Sequence, residues 1–301
     1  MSQQFQMKWV IGESNEGKLV REFLKEKEIS RTALTDIKFK GGNILVNGKE
    51  VNVRYRLAWR DKLTVIFPSE SPSEGLSGEN IPLPILYEDE YLLVVNKPAG
   101  MNTIPSREHP AGSLANALIG YYQRCGLQAT THIVTRLDRD TSGIVLIAKH
   151  RHVHHLFSLM QQSGQVKRTY EAFAEGEMQQ DNDTIVAPIG RKDDSIIERE
   201  VRKDGKYACT HYQVLARYNG FTHLELTLDS GRTHQIRVHL SFLKHPLLGD
   251  DLYGGDVSQI NRQALHCKKI SFIHPFSNDE MIFNAPLPSD MGNLLKADLL
   301  D

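Results

Sequence analysis

A charged bend that runs straight into an apolar segment constrains this chain more than any other feature. Residues 136–143, Arg-Leu-Asp-Arg-Asp-Thr-Ser-Gly, place the Asp138 carboxylate between Arg136 and Arg139. Residues 144–148 are continuously apolar, which predicts a buried central strand. Neighbouring cations keep a carboxylate ionised, as a nucleophile inside a cleft requires. The same residues could instead form a structural turn closed by a salt bridge, because such ion pairs are common.

The composition bounds the class of protein and its setting. The chain has 301 residues, of which 40% are hydrophobic and 24% are charged, as expected for one large or two unequal globular domains. No apolar run approaches the roughly 18 residues of a membrane span, and residues 1–8 lack the pattern of a signal peptide. Cys125, Cys209 and Cys267 are far apart and odd in number, so they predict neither a disulfide framework nor a Cys-x-x-Cys metal pair. We expect a cytoplasmic monomer with no membrane partner.

Charge is distributed unevenly, although the net charge is only -1. Residues 1–67 hold 13 Lys and Arg against 8 Asp and Glu, whereas residues 68–301 hold 23 against 29. Residues 130–170, around the charged bend, are locally basic, with six Lys and Arg against two Asp. A basic amino-terminal piece on an acidic body is typical of a module that contacts RNA, although a solvated charged face gives the same count.

A segment poor in apolar residues divides the chain. Residues 68–84 are rich in Pro, Ser, Gly and Glu. Such a segment buries too little surface to order itself, which predicts a linker between domains. The predicted domains are therefore residues 1–67 and residues 85–301.

Periodicity and turn signals predict the elements of both domains. Ser30 is placed to cap a helix, and Asn47 with Gly48 to form a hairpin turn, because both turn residues tolerate positive φ. The predicted helices lie at 18–27, 31–39, 114–122, 152–161 and 233–243. The predicted strands lie at 44–46, 49–53, 63–67, 91–95, 144–148 and 221–228. We predict an α+β fold whose larger domain is built on a mostly antiparallel mixed sheet.

Four motifs follow one another in the larger domain. They are Val-Asn-Lys-Pro-Ala-Gly at 95–100, the bend at 136–143, Lys-Arg-Thr-Tyr at 167–170, and Ser-Gly-Arg-Thr-His-Gln-Ile-Arg-Val-His-Leu at 230–240, which residues 245–255 continue. In this order they resemble the motifs of the RluA-type family of RNA pseudouridine synthases, over roughly residues 85–285. Thr135 stands where that family often has His before the arginine, but the Arg-Leu-Asp core is intact.

Two short segments of the amino-terminal domain carry a second resemblance. Ser-Arg-Thr at 30–32, at a predicted helix start, and Val-Asn-Gly-Lys at 46–49, at a predicted turn, resemble the small α-L RNA-binding domain attached to many of these synthases. Trp-Arg-Asp at 59–61 replaces the usual Gly-Asp before the last strand. The resemblance implies that residues 1–67 bind RNA; alternatively, their cations are the solvated face of an amphipathic helix.

The family resemblance also implies a reaction and the residues that perform it. It implies the isomerisation of specific uridines to pseudouridine in structured RNA, with ribosomal RNA favoured over transfer RNA and the target base flipped out of its stack. The catalytic residues that it implies are Asp138, Tyr170 and Arg237. The substrate-binding residues that it implies are Arg136, Arg139, His234, Ile236 and Lys97, with Arg136 entering the space that the base leaves. Nothing is oxidised and no phosphate is transferred in this reaction, so we expect no cofactor and no metal.

Other interpretations start from the cluster at 150–155 and from a second acid. His-Arg-His-Val-His-His at 150–155 could ligate a metal, but no partner of the usual spacing completes a site, so we expect an exposed surface that faces RNA. Asp138 and Asp140 could be the two acids of a hydrolytic glycosidase, although two residues apart on a bend Asp140 is better placed to fix the loop. A vestigial site would leave an RNA-binding protein without activity, and the intact Asp138, Tyr170 and Arg237 argue against it.

Overall fold

The computed structural model describes residues 4–72, 75–296 and 299 of the chain. These residues form a small four-stranded sheet, a large ten-stranded sheet and a separate two-stranded sheet. Within them, no helix is both long enough and apolar enough to cross a bilayer. The fold is α+β, and the large sheet is mixed and mostly antiparallel, which confirms the predicted fold class.

The small sheet and two helices make up the amino-terminal part. The elements are β1 (Gln6–Val10), α1 (Val20–Glu26), α2 (Arg31–Phe39), β2 (Asn43–Val46), β3 (Lys49–Glu50) and β4 (Lys62–Ile66), in the sheet order β1-β4-β2-β3. Ser30 caps α2 as predicted, because its Oγ accepts a hydrogen bond from the Ala33 N–H at 3.1 Å. Asn47 and Gly48 form the predicted hairpin turn, with φ of +51° and +79°. We did not predict β1, a short edge strand in which no side chain is fully buried.

The large sheet runs through the second part of the chain. The first elements of this part are β5 (Ile85–Glu88), β6 (Leu92–Lys97), α3 (Leu114–Arg124), β7 (His132–Ile133), β8 (Ser142–Ala148), α4 (Arg151–Gln162), β9 (Lys167–Glu175) and β10 (Asn182–Val186). The two-stranded sheet follows, as β11 (Ile189–Arg191) and β12 (Arg199–Val201). The last elements are β13 (Cys209–Tyr218), β14 (Phe221–Leu228), α5 (Gln235–Phe242), β15 (Leu265–Ile273), β16 (Glu280–Asn284) and α6 (Ser289–Leu294).

One parallel strand pair interrupts the antiparallel order of the large sheet. The main path is β10-β13-β14-β9-β15-β8-β6-β5, and β15 pairs with β8 in parallel. Gly143, at the start of this pairing, has φ of +116°, and a Cβ added to it would lie 2.3 Å from the Cys267 carbonyl oxygen. Only glycine permits this close approach. The bend at 136–141 leads directly into β8. The close packing of Gly143 on Cys267 therefore fixes the position of the bend relative to β9 and β15.

The segment between the two predicted domains is held against α3. The Asn116 side chain donates from Nδ2 to the Ser77 carbonyl oxygen at 2.9 Å, and the Asn116 backbone carbonyl oxygen accepts from the Glu79 N–H at 3.0 Å. Glu70 contacts His132 through its carboxylate. The described part of this segment therefore has more contacts than its composition indicated, because its polar groups find partners on the larger domain. The division of the chain at this segment stays a prediction.

The two parts of the chain meet through stacked aromatic rings. Phe5 stacks on His150 with ring centroids 3.8 Å apart, and Phe67 stacks on His152 at 5.5 Å. His152 is only 3% exposed, so the expectation of an exposed, RNA-facing surface at 150–155 is wrong for this ring. Burial lowers the pKa of both imidazoles to about 4. The neutral rings are flat and aromatic, which suits them to stacking on phenylalanine.

Candidate active site

The Asp138 bend is fastened to the segment that precedes α3. The buried Thr103 hydroxyl donates to the Leu137 carbonyl oxygen at 2.6 Å and accepts from the Leu137 N–H at 3.3 Å. The Thr141 N–H donates to the Asp138 carbonyl oxygen at 3.2 Å and closes the turn. Leu137 is buried, whereas the Asp138 side chain is 28% exposed. The bend therefore anchors on Leu137 and leaves the Asp138 carboxylate accessible.

A buried lysine supports the same bend from beneath. The Lys97 ammonium donates to the carbonyl oxygens of Pro98 at 2.9 Å, Met101 at 2.8 Å and Arg139 at 3.0 Å. Burial lowers the pKa of Lys97 to about 7, against the opposing charges of Asp140 and Asp138. Three acceptors require all three N–H protons, so this geometry holds the charged form. Lys97 is 1% exposed and has no donor left for a substrate, which corrects the expected substrate contact to a structural one.

Arg237 on α5 connects Asp138 to a second carboxylate. Its Nη1 lies 3.3 Å from Asp138 Oδ2, while Nε and Nη2 each lie 2.7 Å from an oxygen of Asp250. Burial alone would lower the pKa of Arg237, but the hydrogen bonds and charges of Asp250 and Asp138 raise it above its ordinary value. Asp250 is fully buried, and a two-bond fork of this kind fixes a guanidinium in one plane. Asp250 thereby orients the one N–H that reaches Asp138.

His234 contacts the same carboxylate from outside the helix. It is the N-cap of α5 with φ of +57°, so the helix begins later than predicted. Its Nε2 lies 3.9 Å from Asp138 Oδ2, and its Nδ1 lies 2.8 Å from the Tyr253 hydroxyl. That hydroxyl accepts from the Arg199 N–H at 2.9 Å, which leaves its proton for Nδ1 and directs Nε2–H towards Asp138. Burial lowers the pKa of His234, and the Asp138 charge opposes that change in part.

Tyr170 presents a neutral phenol to the pocket. It is 4% exposed on β9, and its hydroxyl accepts a hydrogen bond from Arg168 Nη1 at 3.2 Å. Burial raises the pKa of Tyr170 even though the Arg168 charge opposes it. A phenol that keeps its proton is a weak base, so this arrangement favours the packing role of the ring over proton abstraction.

These side chains border one pocket beside Asp138. The pocket holds about 430 Å³ of space, part of which is open to solvent. Its lining includes four arginines, Arg136, Arg168, Arg232 and Arg237. A wall of this charge suits the phosphate backbone of a nucleic acid and opposes the binding of a metal cation next to Asp138.

The structure brings most of the predicted site residues to this pocket, but not all of them. Asp138, Tyr170, Arg237, Arg136, His234 and Ile236 line it. Arg136 is exposed, as a residue that enters an RNA stack must be, whereas Ile236 is 4% exposed. Arg139 is not among the lining residues, and its Nε lies 3.7 Å from Asp140 Oδ1.

Sequence reasoning did not assign Asp250, Tyr253 or Thr103. Asp250 and Tyr253 lie in the stretch at 245–255, which continues the fourth motif, so the motif could have indicated them as site residues. Their roles became visible only when α5 placed Arg237 against both, with its guanidinium 4.9 Å from the Tyr253 ring. Thr103 lies in no recognised motif, and its contact with Leu137 spans 34 positions of sequence.

Comparison with known proteins agrees with this geometry. The family described as RNA pseudouridylate synthase matches residues 91–242. The chain is 54% identical to a Bacillus subtilis (strain 168) protein named uncharacterized RNA pseudouridine synthase YjbO, over 93% of this chain and 99% of the relative. It is 34% identical to ribosomal large subunit pseudouridine synthase D of Yersinia pestis, over 99% of this chain and 96% of the relative.

A solved structure shares the fold. Human RNA pseudouridylate synthase domain containing 1 superposes with a TM-score of 0.58 at 22% identity, covering 74% of this chain and 99% of that one. The family match and the two bacterial relatives confirm the resemblance carried by the four motifs. The chain belongs to the RluA/RluD-type family of RNA pseudouridine synthases, enzymes that isomerise uridine in RNA.

Proposed function

We propose that this enzyme modifies specific uridines of ribosomal RNA and that Asp138 is its catalytic carboxylate. The observation that carries the proposal is the position of Asp138: its carboxylate is accessible in an arginine-lined pocket and contacts Arg237 and His234. Ribosomal RNA is favoured because a relative aligned over 99% of this chain is named a ribosomal large subunit pseudouridine synthase. Transfer RNA is the alternative substrate.

The reaction needs one group that acts beside the glycosidic bond. The bond from ribose C1′ to base N1 breaks, the base rotates, and C1′ joins C5; N1 gains a proton and C5 loses one. Asp138 would attack C1′, attack the pyrimidine ring, or assist the formation of a glycal. Each route requires a carboxylate within reach of the nucleoside, and the contact with Arg237 supports its orientation.

The pocket also supports base flipping. A stacked uridine in folded RNA must leave its helix before Asp138 can reach C1′. Tyr170 would pack against the extruded base, with Ile236 beside it as an apolar wall. The exposed Arg136 guanidinium at the pocket would then fill the vacated stack, since arginine planes stack well on bases.

We further propose that residues 1–67 form an RNA-binding domain that docks the substrate. Exposed cations on α1 and α2, among them Arg21, Lys25 and Arg31, support this role. The aromatic contacts Phe5–His150 and Phe67–His152 join this part to the catalytic part. The proposed setting is the cytoplasm, with the protein acting as a monomer.

The test uses RNA that carries tritium at uracil C5. Isomerisation releases this label, so the wild-type enzyme should release it from ribosomal RNA. Asp138→Asn, which is nearly isosteric, should abolish release while leaving RNA affinity largely unchanged, because phosphate contacts dominate that affinity. Asp140→Asn is the matched control, since Asp140 pairs with the exposed Arg139 at 3.7 Å and does not line the Asp138 pocket, and it should retain most activity.

Three results would contradict the proposal. Equal release by Asp138→Asn would remove Asp138 from its role, free uracil would indicate hydrolysis, and binding without release would indicate an inactive RNA-binding protein. The RNA class is tested separately by mapping pseudouridines in cells with and without the protein. Loss of a site in transfer RNA alone would overturn the ribosomal assignment.

A further inference from the structure

Three metal-ligating side chains converge where β13 and β14 lie side by side. Cys209 and His211 are two apart on β13, so their side chains share one face of the sheet. Asp229 follows β14, and its N–H donates to the Cys209 carbonyl oxygen at 3.2 Å. One ligand atom from each residue lies within 4.8 Å of the other two. None of the three lines the Asp138 pocket.

The geometry is that of ligands around a shared point. Cys209 Sγ lies 3.6 Å from His211 Nε2, and Asp229 Oδ2 lies 3.0 Å from the same nitrogen. In a nucleophile–histidine–acid relay the nucleophile and the acid face opposite ring nitrogens. Here both face Nε2. Tetrahedral Zn²⁺, with bonds of about 2.3 Å to sulfur and about 2.0 Å to nitrogen, sets those two atoms roughly 3.6 Å apart.

The other nitrogen of the imidazole is also engaged. His211 Nδ1 lies 2.9 Å from the Thr184 hydroxyl on the neighbouring strand β10. A histidine that ligates a metal usually donates its remaining N–H to an oxygen, which fixes the tautomer and the ring plane. Thr184 supplies that oxygen and directs the Nε2 lone pair towards Cys209 and Asp229.

We propose that Cys209, His211 and Asp229 bind one divalent cation of borderline softness, Zn²⁺, with a fourth position open to solvent. Binding forms a bond from the metal to Sγ and releases the thiol proton to solvent, because the thiolate is the ligand. The open side follows from exposure, since the side chains of His211 and Asp229 are 40% and 57% exposed. The site goes beyond RNA modification and does not depend on the role proposed for Asp138.

The site is joined to the loop before α5. The Cys209 N–H donates to Ser230 Oγ at 3.1 Å, and the Cys209 carbonyl oxygen accepts from Gln235 Nε2 at 2.9 Å. Ser230 Oγ in turn donates to Gln235 Oε1 at 2.8 Å. A metal at Cys209 would therefore stabilise the loop that carries the start of α5. The cysteine spacing in the sequence did not predict this site, because its ligands come from β13 and from the residue that follows β14.

The test titrates the reduced, full-length protein with Co²⁺, a spectroscopic substitute for Zn²⁺. We expect one Co²⁺ per chain, a thiolate-to-cobalt charge-transfer band in the near ultraviolet, and displacement of Co²⁺ by Zn²⁺. Cys209→Ser should lose the band, whereas Cys125→Ser, at an exposed cysteine outside the cluster, should keep it. Wild-type protein without the band, or Cys209→Ser with it, would overturn the proposal.

Two exposed positions keep the test independent of folding at the buried cysteine. Asp229→Asn should weaken Co²⁺ binding at least about tenfold, and Thr184→Val should weaken it about 10- to 100-fold through loss of the histidine partner. Thr184→Ser retains the hydroxyl and should bind like the wild type. Unchanged affinity in Asp229→Asn and Thr184→Val would show that His211 and Asp229 form only an ion pair.

Discussion

Arg237 holds the buried Asp250 more closely than it holds Asp138, with two contacts of 2.7 Å against one of 3.3 Å. The shorter pair fixes the guanidinium, and the longer contact faces the pocket. We therefore propose Asp250 as a positioning residue, which would act on the reaction through Arg237.

Asp250→Asn should lower kcat by about 100-fold with little change in KM, because a misplaced Arg237 no longer orients the carboxylate. It should also lower the free energy of unfolding by about 3 kcal/mol, since a buried charge loses its partner. Steady-state kinetics and denaturant unfolding measure the two effects. The adjacent, exposed Asp251→Asn is the control and should resemble the wild type. A rise in KM at constant kcat would contradict positioning.

Thr103→Val should loosen the Asp138 bend. It removes a buried hydroxyl that satisfies both backbone groups of Leu137, at a cost of about 1–3 kcal/mol. Thr103→Ser keeps the hydroxyl and should restore both stability and tritium release. Equal behaviour of the valine and serine variants would show that the hydrogen bonds do not position the bend.

Acidification should weaken the contact between the two parts of the chain. Burial lowers the pKa of His150 and of His152 from 6.5 to about 4, with Glu70 opposing and Lys149 reinforcing the change at His150. Between pH 6.5 and about pH 4 the unfolded chain binds protons that the folded chain does not. The free energy of unfolding therefore falls as the pH drops through this range, and the decrease ends below about pH 4. The loss is about 3 kcal/mol for each ring.

Unfolding between pH 7 and pH 4 tests this relationship. His150→Phe and His152→Phe keep an aromatic ring but cannot titrate, so each should flatten the pH dependence. His109→Gln alters an exposed histidine and should leave it unchanged. A pH profile identical in wild type and both phenylalanine variants would contradict the prediction.

Neutralising the amino-terminal cations should reduce the salt dependence of RNA binding. Replacing Arg21, Lys25 and Arg31 by Gln removes three candidate phosphate contacts, and the slope of log affinity against log salt should fall by about 2. Lys203→Gln alters an exposed cation in the larger part of the chain and serves as the control. An unchanged slope for the triple variant would show that these three cations do not contact RNA phosphates.

Local signals predicted local structure, and the motifs predicted the centre of the site. The Ser30 cap and the turn at Asn47 and Gly48 follow from short stretches whose chemistry is self-contained, whereas Asp138 and Arg237 were expected in one site only because their motifs resemble those of the family. The order of the motifs was informative because residues 99 positions apart form the Asp138–Arg237 contact.

Residues that are buried by contacts from distant parts of the sequence could not be predicted in the same way. In the sequence His150 and His152 indicate a polar surface, whereas in the fold Phe5 and Phe67 pack on them. The periodicity of α4 does not indicate a packing partner in another part of the chain. Lys97 was assigned to the substrate because its motif at 95–100 resembles a motif of the family. Only the fold shows its ammonium enclosed by three carbonyl oxygens.

The enclosure of the Lys97 ammonium limits how far the bend can move when RNA binds. Lys97 joins the end of β6 to the bend, and Lys97 and Thr103 together hold the backbone of the bend through hydrogen bonds within the protein. We therefore expect the slow rearrangement on encounter to take place in the nucleic acid. Uridines in weakly stacked loops or bulges should be captured faster than those inside stable helices, and the local melting of the RNA should govern the turnover rate.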